Sequence, residues 1–224
     1  MALVAEPPYK IFIGYDPSQD LSWKVLEYSL HKHASEPIEV RPVDAAKIPE
    51  FKRDQDPLAS TPFTYTRFLV PHLCDHEGIA LFMDSDMLAL GDICQLFAYD
   101  MEGLALRVRQ HEYNPSDTVK MGGKVQTQYP RKNWSSLMLM NNPELTDWSL
   151  DEVARQTGAW LHRFEPIPDE KVGDLSEEWN VLDHMTGPTS LLHYTSGGPW
   201  LAGCEDADHA DLWHQYREEY EAAA

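Results

Sequence analysis

The chain has 224 residues, enough to bury a substantial core, and one domain is the first expectation. A hydrophobic fraction of 42% and a charged fraction of 25% are ordinary for a soluble globular protein and argue against disorder. With 18 basic against 37 acidic residues the formal net charge is −19, which repels phosphate backbones and anionic lipid; nucleic-acid binding and membrane docking are disfavoured, and an anionic substrate needs a metal or a local basic group.

No apolar run is long enough for a transmembrane segment, and the start lacks a basic-then-apolar signal pattern. Cys74, Cys94 and Cys204 are odd in number and have no metal-type spacing, so a reduced, cytoplasmic setting is expected.

Tyr9–Asp16 reads as a first strand, with Asp16-Pro17-Ser18 turning out of it. Trp23, Leu26 and Leu30 form an apolar stripe at helical spacing, and Ile38–Val43 is a second strand. Strand, helix and strand in this order predict a mostly parallel sheet, whose ligands sit beyond the carboxyl ends of the strands. Residues 44–60 show no period and read as a surface loop. Thr61-Pro62 has the pattern of an N-cap and first-turn proline, opening a helix through Phe63, Arg67 and Val70 that Pro71 ends or kinks.

The most informative stretch is Ile79–Cys94. Five apolar residues, Ile79–Met83, run without polar alternation into Asp84-Ser85-Asp86, and apolar residues resume behind. Such a run is a strand buried on both faces. Side chains alternate along a strand, so Asp84 and Asp86 leave on one face and Ser85 on the other. Two carboxylates converging there repel each other and lose hydration, so they need a cation or a dense set of donors.

Asp92 caps a short helix through Phe97, and Leu104–Val108 is a strand. Residues 109–132 form a long polar loop, the natural lid or acceptor-facing segment. Trp134–Met140 reads as another buried strand. A helix from about Ser149 to Trp160 follows, then Leu161–Glu165 and an acidic, Pro-rich connection through Asp174. Glu178–Leu182 is a short strand-like segment, Leu191–Tyr194 an apolar entry into Thr195–Trp200. Leu212, Trp213, Tyr216 and Tyr220 mark an amphipathic C-terminal helix.

These residues carry a resemblance. The strand with Asp84-Ser85-Asp86 and Leu88–Ile93 resembles the metal-binding signature of family 8 glycosyltransferases. The likeness extends to Ile13–Asp16, Tyr65–Pro71, Ser135–Asn141 and His193–Trp200, in the family's order and over most of the chain. It implies a single GT-A domain over residues 1–224, an α/β fold with a Rossmann-like, mostly parallel sheet flanked by helices. The nucleotide-binding part would span about 9–100, the acceptor and closing part about 101–204, and a C-terminal helix about 205–224. The implied activity is a retaining, metal-dependent transfer of a hexosyl unit from a UDP-sugar to a hydroxyl acceptor.

The chemistry explains the residue types. Charge grows on the β-phosphate of the leaving nucleoside diphosphate, and a divalent cation stabilises it. By the resemblance Asp84, Asp86 and His193 hold Mn²⁺ or Mg²⁺; two hard oxygens and one borderline nitrogen suit Mn²⁺ better than Ca²⁺. Donor contacts fall to Gly14, Tyr15, Asp16, Arg67, Ser85, Ser135, Ser136, Gly197, Gly198 and Trp200. Tyr15 offers a face for the base, Arg67 a fixed positive charge, and Gly197-Gly198 a close backbone approach to phosphate. Retention by double displacement would use a group in Leu161–Glu165, with Glu165 and His162 as candidates; a front-face mechanism needs none.

Two positions depart from the family pattern. Gly198 stands where many members carry a lysine, so Lys120, Lys124, Arg131 or Lys132 would have to help with phosphate. Trp134-Ser135-Ser136 replaces Asn-Ala-Gly beside the sugar. Two rival readings are a nucleotide-sugar-binding protein without turnover and a haloacid-dehalogenase-type phosphotransferase. The second is weakened by Met87-Leu88 behind the motif and by having no use for His193.

Overall fold

The structure, a computed structural model, describes residues 3–54, 59, 61–111 and 131–223. In chain order the elements are β1 (Tyr9–Gly14), α1 (Asp20–His33), β2 (Ile38–Val43), α2 (Val70–Leu73), β3 (Ile79–Met83), β4 (Met87–Ala89), β5 (Leu106–Val108) and β6 (Leu137–Asn141). They continue with α3 (Leu150–Arg155), α4 (Gly158–His162), β7 (Val172–Asp174), β8 (Val181–Leu182), β9 (Leu191–His193) and α5 (Ala210–Ala223).

The main sheet has the order β2-β1-β3-β6-β5-β7. The pairs β1–β2, β1–β3 and β5–β7 are parallel, while β6 runs against both β3 and β5. Five strands therefore share one direction, as the strand–helix–strand opening predicts. A smaller sheet, β4-β9-β8, stands beside it.

The unbroken apolar runs are explained by burial on both faces. From the central strands Phe12, Ala80, Phe82, Met138 and Met140 enter one core, with Phe68, Val70, Trp148, Val153 and Leu161 packed against them. Ile11, Ile13, Leu81, Met83, Leu137 and Leu139 enter the other, with Leu26 and Leu30 of α1 and with Met87 and Leu191 of the small sheet. Alternation along each strand divides the two sets. A third cluster joins Val25, Leu88 and Leu192 to Trp213 and Tyr216 of α5, so the C-terminal helix does pack back on the body.

Several expected elements are shorter or differently bounded. Thr61–Tyr65 is a turn rather than a helix; a 3₁₀ segment, Thr66–Leu69, leads into α2, where Pro71 sits in the first turn and starts the helix instead of ending it. The helix expected over 149–160 is two: α3 ends at Arg155 and Thr157 caps α4 through Trp160 N. Trp134–Ser136 forms a 3₁₀ turn before β6. The acidic connection contains β7, whose strand character comes from pairing with β5 rather than from composition. Asp92 does cap a 3₁₀ helix, Ile93–Ala98. Most of the proposed lid, with Lys120 and Lys124, lies outside the described residues. Among the described residues no helix is long and apolar enough to cross a membrane.

Candidate metal centre

The carboxyl ends of β1 and β3 face the same edge, because the two strands are parallel with Ile13 beside Met83. Beyond Met83, Asp84 N donates to Ser136 O at 2.9 Å, and after Ser85 and Asp86 the chain enters β4. Antiparallel pairing sets Met87 opposite His193, and Tyr194 N donates to Asp86 O at 2.9 Å. Backbone register thus carries a residue from late in the chain to the Asp-Ser-Asp turn. One ligand atom from each of Asp84, Asp86 and His193 lies within 4.8 Å of the others. Ser85 is 2% exposed, and its hydroxyl is buried with it.

Arg67 is not at the surface. It is 6% exposed, with Nη1 3.0 Å from Asp84 Oδ1 and donating to Ser135 O at 2.9 Å. Its guanidinium lies 5.4 and 5.3 Å from the ring centres of Phe63 and Phe82. Burial pushes the Asp84 carboxyl up, Arg67 opposes it and Asp86 adds to it, leaving it at about 6. For His193, burial disfavours the charged ring, but Asp86, Asp84 and Asp183 outweigh it and raise the imidazole above its ordinary value.

The donor set fits a divalent cation. His193 Nδ1 lies 2.8 Å from Asn180 Oδ1, and Nε2 lies 3.1 Å from Asp86 Oδ1. With the Nδ1 proton given to the amide oxygen, Nε2 presents a lone pair to a carboxylate oxygen. That approach is favourable only with a second proton or a cation between them. Asp84 Oδ1, beside its ion pair with Arg67, is buried and accepts no hydrogen bond.

No protein-family model matches the chain. Protein CDI of Arabidopsis thaliana is 43% identical over 227 residues, covering 95% of this chain and 87% of that protein. This chain belongs to the Protein CDI family.

Solved structures share the fold of this Protein CDI relative at low identity. The bifunctional glycosyltransferase WbbM, without ligand, aligns with a TM-score of 0.65 and 13% identity over 96% of this chain; the chain spans 50% of the WbbM structure's length. GlyE of Streptococcus pneumoniae TIGR4 gives 0.59 and 17% over 93% of this chain and 60% of its own. The galactosyltransferase LgtC, in complex with donor and acceptor sugar analogues, gives 0.58 and 13% over 94% of this chain and 95% of its own. The mixed α/β architecture with a mostly parallel sheet is that of the GT-A glycosyltransferases.

In this member of the Protein CDI family the other expected site residues divide. Tyr15 and Asp16 stand at the same edge as the Asp84, Asp86 and His193 cluster, but both have partners in the chain. Tyr15 OH donates to Asp20 Oδ1 at 3.0 Å, and its ring meets Trp23 edge-on. Asp16 Oδ1 caps the turn at Pro17–Gln19, accepting from Ser18 N and Oγ. Gly14 is required by packing: a Cβ there would fall on the Phe63 ring, with Cδ2, Cγ and Cε2 all within 2.7 Å.

The glycine pair of the closing motif is also explained from inside the protein. Gly197 has φ 113° and turns the chain, and the space on its Cβ side holds Cys204 Sγ. A Cβ at Gly198 would overlap the Trp200 ring. Packing alone therefore requires glycine at both positions. Trp200 Nε1 donates to Gln19 Oε1 at 3.0 Å, tying the closing motif to the turn after β1.

Ser135 and Ser136 lie beside the cluster, buried. Ser135 Oγ is 2.8 Å from His162 Nδ1, and His162 packs edge-on against Phe68. Burial, helped by Arg67, pushes the His162 imidazole down to about 3, so it is a neutral partner of Ser135. Glu165 is exposed beyond α4. Arg131 donates to Arg163 O and pairs with Asp169, so it is already engaged in the protein.

Two residues of the site were not singled out by sequence reasoning. Asn180 is fully buried next to His193, and its signal was an amide inside the apolar run Trp179–Leu182, which must find partners once buried. His111, just beyond β5, has a buried Nε2 with no hydrogen-bond partner; burial, then Arg109 and His193, push its imidazole down to about 4. Nothing in the local pattern marks it.

Proposed function

We propose that this chain is a metal-dependent, retaining glycosyltransferase of the family 8 type, moving a hexosyl unit from a UDP-sugar to a hydroxyl acceptor. The observation that carries the reading is the Asp84, Asp86 and His193 cluster at the carboxyl edge of a GT-A sheet. Asp84, Asp86 and His193 Nε2 would hold Mn²⁺ or Mg²⁺, which supplies charge stabilisation to a leaving diphosphate.

The chain's own residues do the rest. Arg67 keeps Asp84 charged and brings a fixed cation to a protein otherwise hostile to anions. Residues Gly14–Asp16 and Trp200, joined through Gln19, form the nucleoside side, and Ser135–Ser136 the sugar side. His162 Nδ1 is engaged by Ser135 Oγ, and Glu165 is exposed beyond α4. A front-face displacement, in which the departing phosphate takes the acceptor's proton, asks least of these residues.

The test is UDP release from a panel of UDP-sugars with Mn²⁺ and with chelator, with product mass and anomeric configuration read out. Asp84→Asn, Asp86→Asn and His193→Ala are expected to abolish metal-dependent UDP binding with the fold intact. Tight UDP binding without release from any donor would instead mark a nucleotide-sugar-binding protein. No metal-dependent UDP binding at all would end the reading.

A further inference from the structure

We infer that Asn180 is the positioning residue of the candidate metal centre: its amide sets the ring orientation and the tautomer of His193, so that Nε2 is the atom offered to a cation. The inference rests on the metal reading above.

Asn180 is 0% exposed and precedes β8, with φ 58°, a left-handed conformation that asparagine tolerates better than most residues. Its amide has a donor end and an acceptor end, and its neighbours decide which points where. Nδ2 lies 3.2 Å from Asn133 O and 3.0 Å from Ser136 Oγ. A backbone carbonyl can only accept, so the end facing Asn133 must be the NH₂ group. The oxygen end then faces His193 Nδ1 at 2.8 Å. An amide oxygen can only accept, so the neutral ring must carry its proton on Nδ1.

The holders of the amide are themselves held. Ser136 Oγ donates to Asn133 O at 2.6 Å, and Ser136 O accepts from Asp84 N at 2.9 Å. One chain of hydrogen bonds thus runs from the backbone of Asp84 through Ser136 and Asn180 to the His193 ring. It matters because the alternative tautomer has its own attraction. With Nε2–H, the ring would donate to Asp86 Oδ1, now 3.1 Å away, and that nitrogen could no longer ligate. Asn180 tips the choice toward the ligating form. Partners of this kind on a histidine's second nitrogen typically change metal affinity by about 10–100-fold when removed.

Two variants of the full chain separate the role from mere filling of space. Asn180→Leu keeps the volume and removes the acceptor; Asn180→Asp keeps an acceptor toward Nδ1. Mn²⁺ affinity is read from the electron paramagnetic resonance of the free ion. The His193 tautomer is read by long-range ¹H–¹⁵N correlation in chelator, at a pH where the ring is neutral, with the signal assigned by its loss in His193→Ala.

The wild type is expected to show Nδ1–H. Asn180→Leu should move toward Nε2–H and lose about 10–100-fold in Mn²⁺ affinity, whereas Asn180→Asp, which still accepts from Nδ1 although it loses the donor toward Asn133 O, should keep the Nδ1–H form. An Nε2–H ring in the wild type overturns the inference, whether or not the Asn180 variants fold. So does Asn180→Leu binding Mn²⁺ like the wild type. A wild type with Nδ1–H that binds no Mn²⁺, even with UDP, would instead overturn the metal reading and this role with it.

Discussion

Replacing Arg67 by methionine tests whether the cluster depends on a buried counter-charge. Methionine keeps the apolar stem but leaves Asp84 without the guanidinium 3.0 Å away, and removes the donor 2.9 Å from Ser135 O. Breaking one partner out of a buried ion pair costs about 3–5 kcal/mol, against about 0–1 kcal/mol for a pair at the surface. Arg67 is 7% exposed at its side chain and Asp84 14%, so the buried figure applies. Asp84 can shed part of the cost by taking up a proton, which places the expected loss near the lower end, about 3 kcal/mol.

The companion is Arg67→Met with Asp84→Asn, which removes both charges. A neutral pair has no stranded carboxylate, so the double variant should recover at least about 2 kcal/mol relative to Arg67→Met alone. The assay is urea unfolding followed by tryptophan fluorescence, in chelator so that no cation replaces the lost charge. Arg67→Met within about 1 kcal/mol of the wild type would refute the reasoning. A double variant no more stable than the single would refute it too.

Gly14→Ala should destabilise by about 1–3 kcal/mol through overpacking against Phe63. In a Phe63→Ala background the same substitution should cost almost nothing; equal costs in both backgrounds, by urea unfolding, would mean that Gly14 serves something other than this contact. His162, held at about 3 by burial against about 6.5 when unfolded, binds fewer protons folded than unfolded, so its contribution to stability is complete above pH 6.5 and is lost as pH falls toward 3. The difference in unfolding free energy between wild type and His162→Gln should shift by about 1.4 kcal/mol per pH unit across that window; a constant difference would contradict the buried neutral ring. Trp213→Ala, which removes a 1% exposed ring packed 5.2 Å from Trp200, should cost about 3–5 kcal/mol in the same assay. A near-zero effect would make α5 a detachable appendage.

Much of the fold was legible because its signals are local. A short apolar run without alternation, as at Ile79–Met83, reads as a strand covered on both sides, and the β1–α1–β2 opening implies parallel pairing. The C-terminal helix announced itself by the spacing of Leu212, Trp213, Tyr216 and Tyr220. Local signals failed where partners decide. β7 is a strand because β5 lies beside it; the split of the helix expected over 149–160 is different, since the Thr157 cap on α4 is a local signal that sequence reasoning passed over. The glycines show the same limit: sequence says that a side chain is missing, but only packing says that Phe63, Cys204 and Trp200 occupy the space.

For the site, Asp84-Ser85-Asp86 was evident from the sequence alone, since two carboxylates at the end of a buried strand demand compensation. His193 entered only through a resemblance. What brings it there is the antiparallel register of β4 and β9, a long-range pairing that no short window contains. The burial of Arg67 and the orientation of Asn180 are likewise tertiary facts. The charge of a guanidinium and the two ends of an amide belong to the residue type, but the direction in which they act is decided by neighbours far along the chain. Sequence determined that two carboxylates at the end of β3 need a cation or a dense set of donors; the fold decided that His193 Nε2 is the nitrogen that faces them.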